Sequence, residues 1–131
     1  MRVTASNDMN KISIIKKIQL GDNSFPIQNL YSKLSFSFYC VNGRIKHEVI
    51  LSFETSFLLN DLIKNEQITT DTLAKHQISK LENLNNTERS FLYRYQFFQP
   101  KECNKCYMII FDIDEYREYW GCHIYGVLEI E

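Results

Sequence analysis

Proline and glycine are scarce in this 131-residue chain, which contains two prolines and four glycines. Their scarcity argues against a disordered or low-complexity chain, since such chains are enriched in both. The purely apolar runs span only a few residues, far below the roughly 20 that a membrane-spanning helix needs. Residues 1–11 lack the apolar segment of a secretion signal, so we expect a cytoplasmic protein with reduced thiols.

Signature motifs of catalysis are also lacking. The chain has no glycine-rich phosphate loop and neither an H-E-x-x-H nor a G-x-S-x-G pattern. The spacing of the three histidines does not indicate a catalytic set made of a nucleophile, a base and a group that orients the base. We therefore expect a protein that is not an enzyme and that uses no cofactor.

Charge is present in ordinary amount but is unevenly spread. Residues 1–50 carry seven Lys and Arg against three Asp and Glu, whereas residues 111–131 carry one against six. Such an asymmetric distribution of charge carries information about binding partners rather than about the fold. The alternative is that the two ends attract each other across one sheet, or are simply solvated. A pI near 6.3 makes a nucleic acid an unfavourable partner.

Alternating apolar and polar residues predict most of the secondary structure. Two alternating runs flank Asn42 and Gly43, and this dipeptide between such runs is the strongest short hairpin signal. A two-residue loop fixes the register, so Phe36 should face Val49 and Phe38 should face His47. Apolar residues recur at helical spacing in two segments between the strands, one after Thr55 and one after Thr70. We expect these threonines to cap the amino-terminal ends of two helices.

We expect an α+β fold from this order of elements. It would contain a single antiparallel β-sheet of about five to six strands, with two short helices packed on one face. Residues 1–10 would form a flexible N-terminal arm, and residues 11–131 would form a single domain.

Carboxylates and aromatic rings are interleaved near the carboxyl end. Aromatic rings supply contact area that is desolvated on binding, and charges of one sign steer an oppositely charged partner. The sequence thus predicts a surface that binds a basic protein. The predicted partner-binding residues are Asp112, Asp114, Glu115, Tyr116, Glu118, Tyr119, Trp120, Tyr125, Glu129 and Glu131.

The preferred functional hypothesis is a non-enzymatic inhibitor. A small α+β domain with an acidic end and no catalytic signature resembles bacterial immunity proteins in general character, although no motif specifies such a family. The partner would be a basic toxin or effector domain of the nuclease type, neutralised by occlusion of its active groove. A second hypothesis makes the chain a structural homo-oligomer, such as a homodimer, whose aromatic residues bury the interface.

A metal-binding domain or small enzyme is the remaining alternative. Cys103 and Cys106 form a C-x-x-C pair, for which Cys122 and His123 are the nearby candidates as further zinc ligands. Adjacent strand residues point to opposite faces, which disfavours Cys122 and His123 as joint ligands. Hard oxygen ligands on one strand face also suit Mg²⁺ or Ca²⁺, and Asp112 and Asp114 would supply them.

Residues 108–116, MIIFDIDEY, resemble the nucleophile strand of haloacid-dehalogenase-like phosphotransferases. The resemblance implies Asp112 as nucleophile and Asp114 as general acid. It also implies a parallel sheet, whereas the order of elements here predicts an antiparallel one. We therefore do not assign the chain to that family.

Overall fold

The structure is a computed structural model that describes residues 11–40, 45–78, 93–101, 103–116 and 119–131. For residues 116 and 119 it describes the backbone alone. The predicted N-terminal arm, residues 1–10, and the predicted turn at residues 42 and 43 lie outside the described residues.

Eight strands and two short helices follow one another along the described chain. The strands are β1 (Ile14–Ile18), β2 (Ser24–Ile27), β3 (Leu34–Tyr39), β4 (Lys46–Leu51), β5 (Phe57–Leu58), β6 (Tyr93–Phe98), β7 (Cys106–Tyr116) and β8 (Tyr119–Ile130). The helices are α1 (Leu59–Lys64) and α2 (Thr70–Lys75).

The larger of two antiparallel sheets is built around β7 and β8, which have 11 and 12 residues. Its strand order is β1-β8-β7-β6-β5, and β2 also pairs with β8. β1 lies beside residues 127–130 and β2 lies beside residues 120–123. The two short strands therefore share one edge of β8, and β7 runs along the other edge.

Each face of the larger sheet carries its own hydrophobic core. Alternation along β7 sends Tyr107, Ile109 and Phe111 to one face and Met108 and Ile110 to the other, and all five are fully buried. Burying a side chain of this size stabilises the folded state by about 1.5–3 kcal/mol. β7 is thus a central strand that contributes to both cores.

β3 and β4 form the second sheet, a two-stranded hairpin. Phe36 pairs with Val49 and Phe38 pairs with His47, so the register predicted from the two-residue loop is confirmed. The ring of Phe38 meets Tyr107 edge to face, with 5.0 Å between the ring centroids. The apolar side of the hairpin therefore stacks on one face of the larger sheet, and we call this shared core the hairpin-side core.

The antiparallel α+β class is confirmed, but the expectation of a single sheet is wrong because the strands are divided between two sheets. The physical reason lies in the hairpin, where Phe36, Phe38, Val49 and Leu51 are buried on one side. Such a side can be covered by stacking on another sheet as well as by helices. Alternation along the chain predicts that a face is buried but does not say what covers it.

Both helices contribute to the core on the opposite face, which we call the helix-side core. Leu59 and Leu62 of α1 and Leu73 of α2 are buried in the same cluster as Met108 and Ile110. Neither described helix is long and apolar enough to cross a membrane.

Candidate functional site

The β7–β8 hairpin, which we call the terminal hairpin, carries three of the predicted contact residues near its end. Glu115 lies directly opposite Trp120, and the pairing continues to Tyr116 and Tyr119. Glu115 is exposed, whereas Asp114 and Trp120 are half-buried. Trp120 packs partly against the hairpin-side core, so its ring is held while a part stays accessible. We call Asp114, Glu115 and Trp120 the acidic tip.

Asp112 lies inside the molecule, with 4% of its surface exposed. The hydroxyl of Tyr125 donates a hydrogen bond to Oδ2 at 2.6 Å, and the backbone N–H of His123 donates to Oδ1 at 3.1 Å. Nδ1 of His123 lies 3.4 Å from the same Oδ1. The Asp112 carboxylate and the Tyr125 hydroxyl are therefore engaged with each other within the chain.

Burial is the largest influence on Asp112 and raises the pKa of its carboxyl above the ordinary value. The hydrogen bonds from Tyr125 and His123, together with the charge of His123, act in the opposite direction. They do so because a donor or a cation beside a carboxylate favours its charged form. The arrangement also fixes the orientation of the His123 imidazole, as carboxylate partners of histidine do.

Glu129 is likewise buried, with 3% of its surface exposed, and Oε2 lies 3.4 Å from Nζ of Lys105. Glu131 is exposed, and its backbone N–H donates to the carbonyl of Ser13 at 3.0 Å. Both glutamates lie at the far end of β8 from the acidic tip. A strand rises about 3.3 Å per residue, which puts roughly 30 Å between Trp120 and Glu129.

The predicted contact residues thus do not form one continuous surface in the described part of the chain. The structure places Glu115 and Trp120 side by side on one face of the acidic tip, with Asp114 next to them on the opposite face. It places Asp112, Tyr125 and Glu129 elsewhere. The side chains of residues 116 and 119, and the whole of residue 118, lie outside the described residues. The contact roles assigned to Tyr116, Glu118 and Tyr119 therefore stay predictions.

The C-x-x-C pair lies far from the other two candidate zinc ligands, because Cys106 pairs with Ile130 whereas Cys122 and His123 lie toward the other end of β8. Cys122 belongs to the hairpin-side core, while His123 turns to the opposite face beside Asp112. Sγ of Cys103 lies 3.9 Å from Nε2 of His47, a contact between residues 56 positions apart that no local pattern predicts. Among the residues that the structure describes, no group of three or more His, Cys, Asp or Glu could hold a metal ion.

Sequence reasoning also missed a buried cation, Arg94 on β6. Its Nε donates to the hydroxyl of Ser56 at 2.6 Å, and its Nη2 donates to the Ser56 carbonyl at 2.8 Å. The guanidinium carbon lies 4.1 Å from the centroid of the Phe53 ring. Burial lowers the pKa of Arg94, and the charge of Asp61 acts against that shift. Arg94 therefore ties the loop between β4 and β5 to the larger sheet.

Comparison with known proteins gives no similarity from which a function could be transferred. No protein-family model matches the chain, and no curated protein and no solved structure matches it.

Proposed function

We propose that this chain is a non-enzymatic inhibitor that binds a basic protein partner through the acidic tip of its terminal hairpin. The observation that supports the proposal most directly is the cross-strand pair of Glu115 and Trp120. Directly opposed residues of an antiparallel pair have Cβ atoms about 4.5–5.5 Å apart. An exposed carboxylate and a partly accessible indole thus stand side by side at one end of the molecule.

Trp120 has the properties of a binding anchor. Its ring packs partly on the hairpin-side core, and Ile27 of β2 is its register neighbour on the other side. A ring that is already held loses little conformational entropy when a partner covers the rest of it. Tryptophan is also among the residues that most often carry the energy of protein interfaces.

Glu115 supplies the negative potential beside Trp120, while Asp114 points to the opposite face, where its Oδ1 accepts a 2.7 Å hydrogen bond from the backbone N–H of Glu115. Carboxylates beside an anchor accelerate encounter with a positively charged partner, and salt weakens that acceleration. The partner of best complementarity is a domain with a cationic groove, such as a nuclease that holds a nucleic acid backbone. Occlusion of that groove would make the chain an immunity-type protein, and Tyr116, Glu118 and Tyr119 would extend the same contact.

The experiment uses purified chain and a set of basic nuclease domains, including any that is encoded by an adjoining gene. Binding kinetics and nuclease inhibition are measured for wild type, Trp120→Ala, Glu115→Lys and the control Glu54→Lys. Glu54 is also exposed but lies in the loop between β4 and β5, so its reversal changes net charge equally. Thermal melting of each variant confirms that it is folded.

We expect Glu115→Lys to slow association by roughly tenfold at low salt and to flatten its salt dependence. Trp120→Ala should raise Kd by about 30-fold, the equivalent of a 2 kcal/mol anchor. Glu54→Lys should resemble wild type. The proposal fails if every nuclease remains active with the wild-type chain, or if an inhibited nuclease does not distinguish Glu115→Lys from Glu54→Lys.

A further inference from the structure

A cavity of about 380 Å³ lies against β8, some distance from the acidic tip. Its lining comes from β1, from β2 and the residue before it, from β8, and from the turn that follows α2. The polar lining residues are Lys17, Asn23, Ser24, Gln77, His123 and Tyr125. A volume of this size falls within the range of small-molecule sites in proteins.

The cavity is assembled by long-range pairing. Ser24 is the register partner of His123 across the β2–β8 ladder, so the hydroxyl and the imidazole share one face of the sheet. Nζ of Lys17 donates to the carbonyl of Gln77 at 3.5 Å, which brings the cation from β1 to the turn after α2. The backbone N–H of Ile124 donates to the carbonyl of Asn23 at 2.7 Å and fixes the entry to β2.

Gly126 makes room for two of the side chains that line this cavity. A Cβ built at Gly126 would lie 2.5 Å from Cδ1 of Ile78 and 3.6 Å from Cε of Lys17. The stem of Lys17 and the end of Ile78 therefore lie over Gly126, and the ammonium group is carried beyond them toward the polar lining.

The charge of the described lining has one sign. Lys17 is a cation and His123 an imidazole, and no carboxylate is among the described residues that line the cavity. Asp112 lies behind the lining, where it accepts hydrogen bonds from the Tyr125 hydroxyl and the His123 backbone. The carboxylate thus uses the Tyr125 hydroxyl hydrogen and faces Nδ1 of His123 at 3.4 Å, which positions both rings and makes Nε2 the His123 nitrogen that a ligand would meet.

We propose that this cavity binds a small molecule through an anionic group, a carboxylate or a phosphate, held between the Lys17 ammonium and the His123 imidazole. The Ser24 hydroxyl and the Gln77 side chain supply further donors from the cavity wall. Ionised acceptors form shorter and stronger hydrogen bonds with such donors than neutral groups do. This site is independent of the acidic tip, and it would stand if the tip bound no partner.

Inorganic phosphate and acetate are the probes. Each is titrated into the isotopically labelled full chain at constant ionic strength and constant pH, and the imidazole resonances of the three histidines are followed by NMR. The His123→Gln variant identifies the His123 resonances. Lys17→Met removes the cation but keeps the stem, and Lys16→Met is the matched control because Lys16 is the exposed neighbour on the same strand.

We expect a saturable shift of the His123 resonances, with a Kd in the millimolar range or below for at least one probe. Saturation by phosphate alone or by acetate alone identifies the anionic group that the cavity binds. Saturation by both shows that the cavity accepts either group. Loss of one charge-assisted hydrogen bond should weaken binding about tenfold in Lys17→Met, while Lys16→Met should stay within about twofold of wild type. A linear shift without saturation, or equal weakening in both lysine variants, would overturn the proposal.

Discussion

The hydroxyl of Tyr125 on β8 donates a 2.6 Å hydrogen bond to Oδ2 of Asp112 on β7. The pair lies within the larger sheet, where Asp112 is buried and Tyr125 packs against the helix-side core. A buried carboxylate is costly unless its oxygens are satisfied. Two experiments follow from this relationship, one on the acid and one on its donor.

Asp112→Asn should reduce the pH dependence of stability. Because burial raises the pKa of Asp112 in the folded state, the folded state binds its proton more tightly than the unfolded state does. The contribution to stability is therefore complete below the unfolded pKa, near 3.8, and is lost as pH rises through the folded pKa. Urea unfolding from about pH 3.5 upward should show wild type losing free energy of unfolding relative to Asp112→Asn. A difference that stays constant, or that changes in the other direction, would contradict the assignment.

Tyr125→Phe removes one hydrogen bond and almost no volume. We expect a loss of about 1–3 kcal/mol in the free energy of unfolding. The loss should be larger at pH 7 than at pH 4, because the Tyr125 hydrogen bond favours the ionised form of Asp112. Tyr39→Phe is the control, since Tyr39 is exposed on the outer side of β3. Equal effects of Tyr125→Phe at the two pH values would show that the hydroxyl does not act on the carboxylate charge.

The sequence predicted the β3–β4 hairpin well because its information is local. The dipeptide of Asn42 and Gly43 predicts a two-residue loop, and alternation on both sides predicts which residues face inward. Phe38 and His47 accordingly pair as expected. The stacking of this hairpin on the larger sheet was not predicted, because it depends on contacts such as that of Phe38 with Tyr107, 69 positions apart.

The side-chain orientations in the terminal hairpin, in contrast, were not predictable from simple alternation. Its register shifts between Ile110 and Phe111, where Gly126 and Ile124 are the respective partners, so Tyr125 is an extra residue on β8. Such a bulge changes which side chains of the following strand face each core. Gly126 inside a strand pattern was the available signal. The burial of Asp112 had no local signal, since its hydroxyl donor lies 13 residues away.

Arg94→Lys should destabilise the protein although it keeps the positive charge. An ammonium group cannot reproduce the fork that reaches both the hydroxyl and the carbonyl of Ser56, nor can it stack in the same way on Phe53. We expect a loss of about 2–3 kcal/mol in the free energy of unfolding, measured by urea denaturation. Lys46→Gln, an exposed change on β4, should cost less than about 0.5 kcal/mol. An Arg94→Lys protein as stable as wild type would show that the anchor of this loop lies elsewhere.

The four cysteines should differ in their reaction with an alkylating reagent. Burial raises the pKa of Cys122 to about 12, and Cys40 is also buried. Cys103 and Cys106 are half-buried and more accessible. Because the thiolate is the reactive form, iodoacetamide at about pH 8 should label Cys103 and Cys106 first. Peptide mass spectrometry should detect modified Cys122 only after denaturation, and early labelling of Cys122 in the native protein would contradict its burial.

Gly126→Ala tests how closely the turn after α2 packs on β8. The new methyl group would lie 2.5 Å from Cδ1 of Ile78, so the isoleucine must move, and overpacking of this kind costs about 1–3 kcal/mol. Ile78→Val removes the clashing carbon and alone should cost about 0.5–1.5 kcal/mol. In the double variant, the two costs should be less than additive, because the valine leaves room for the alanine methyl. Strict additivity in a double-mutant cycle would show that Ile78 does not rest on Gly126, and that the wall of the cavity is built differently.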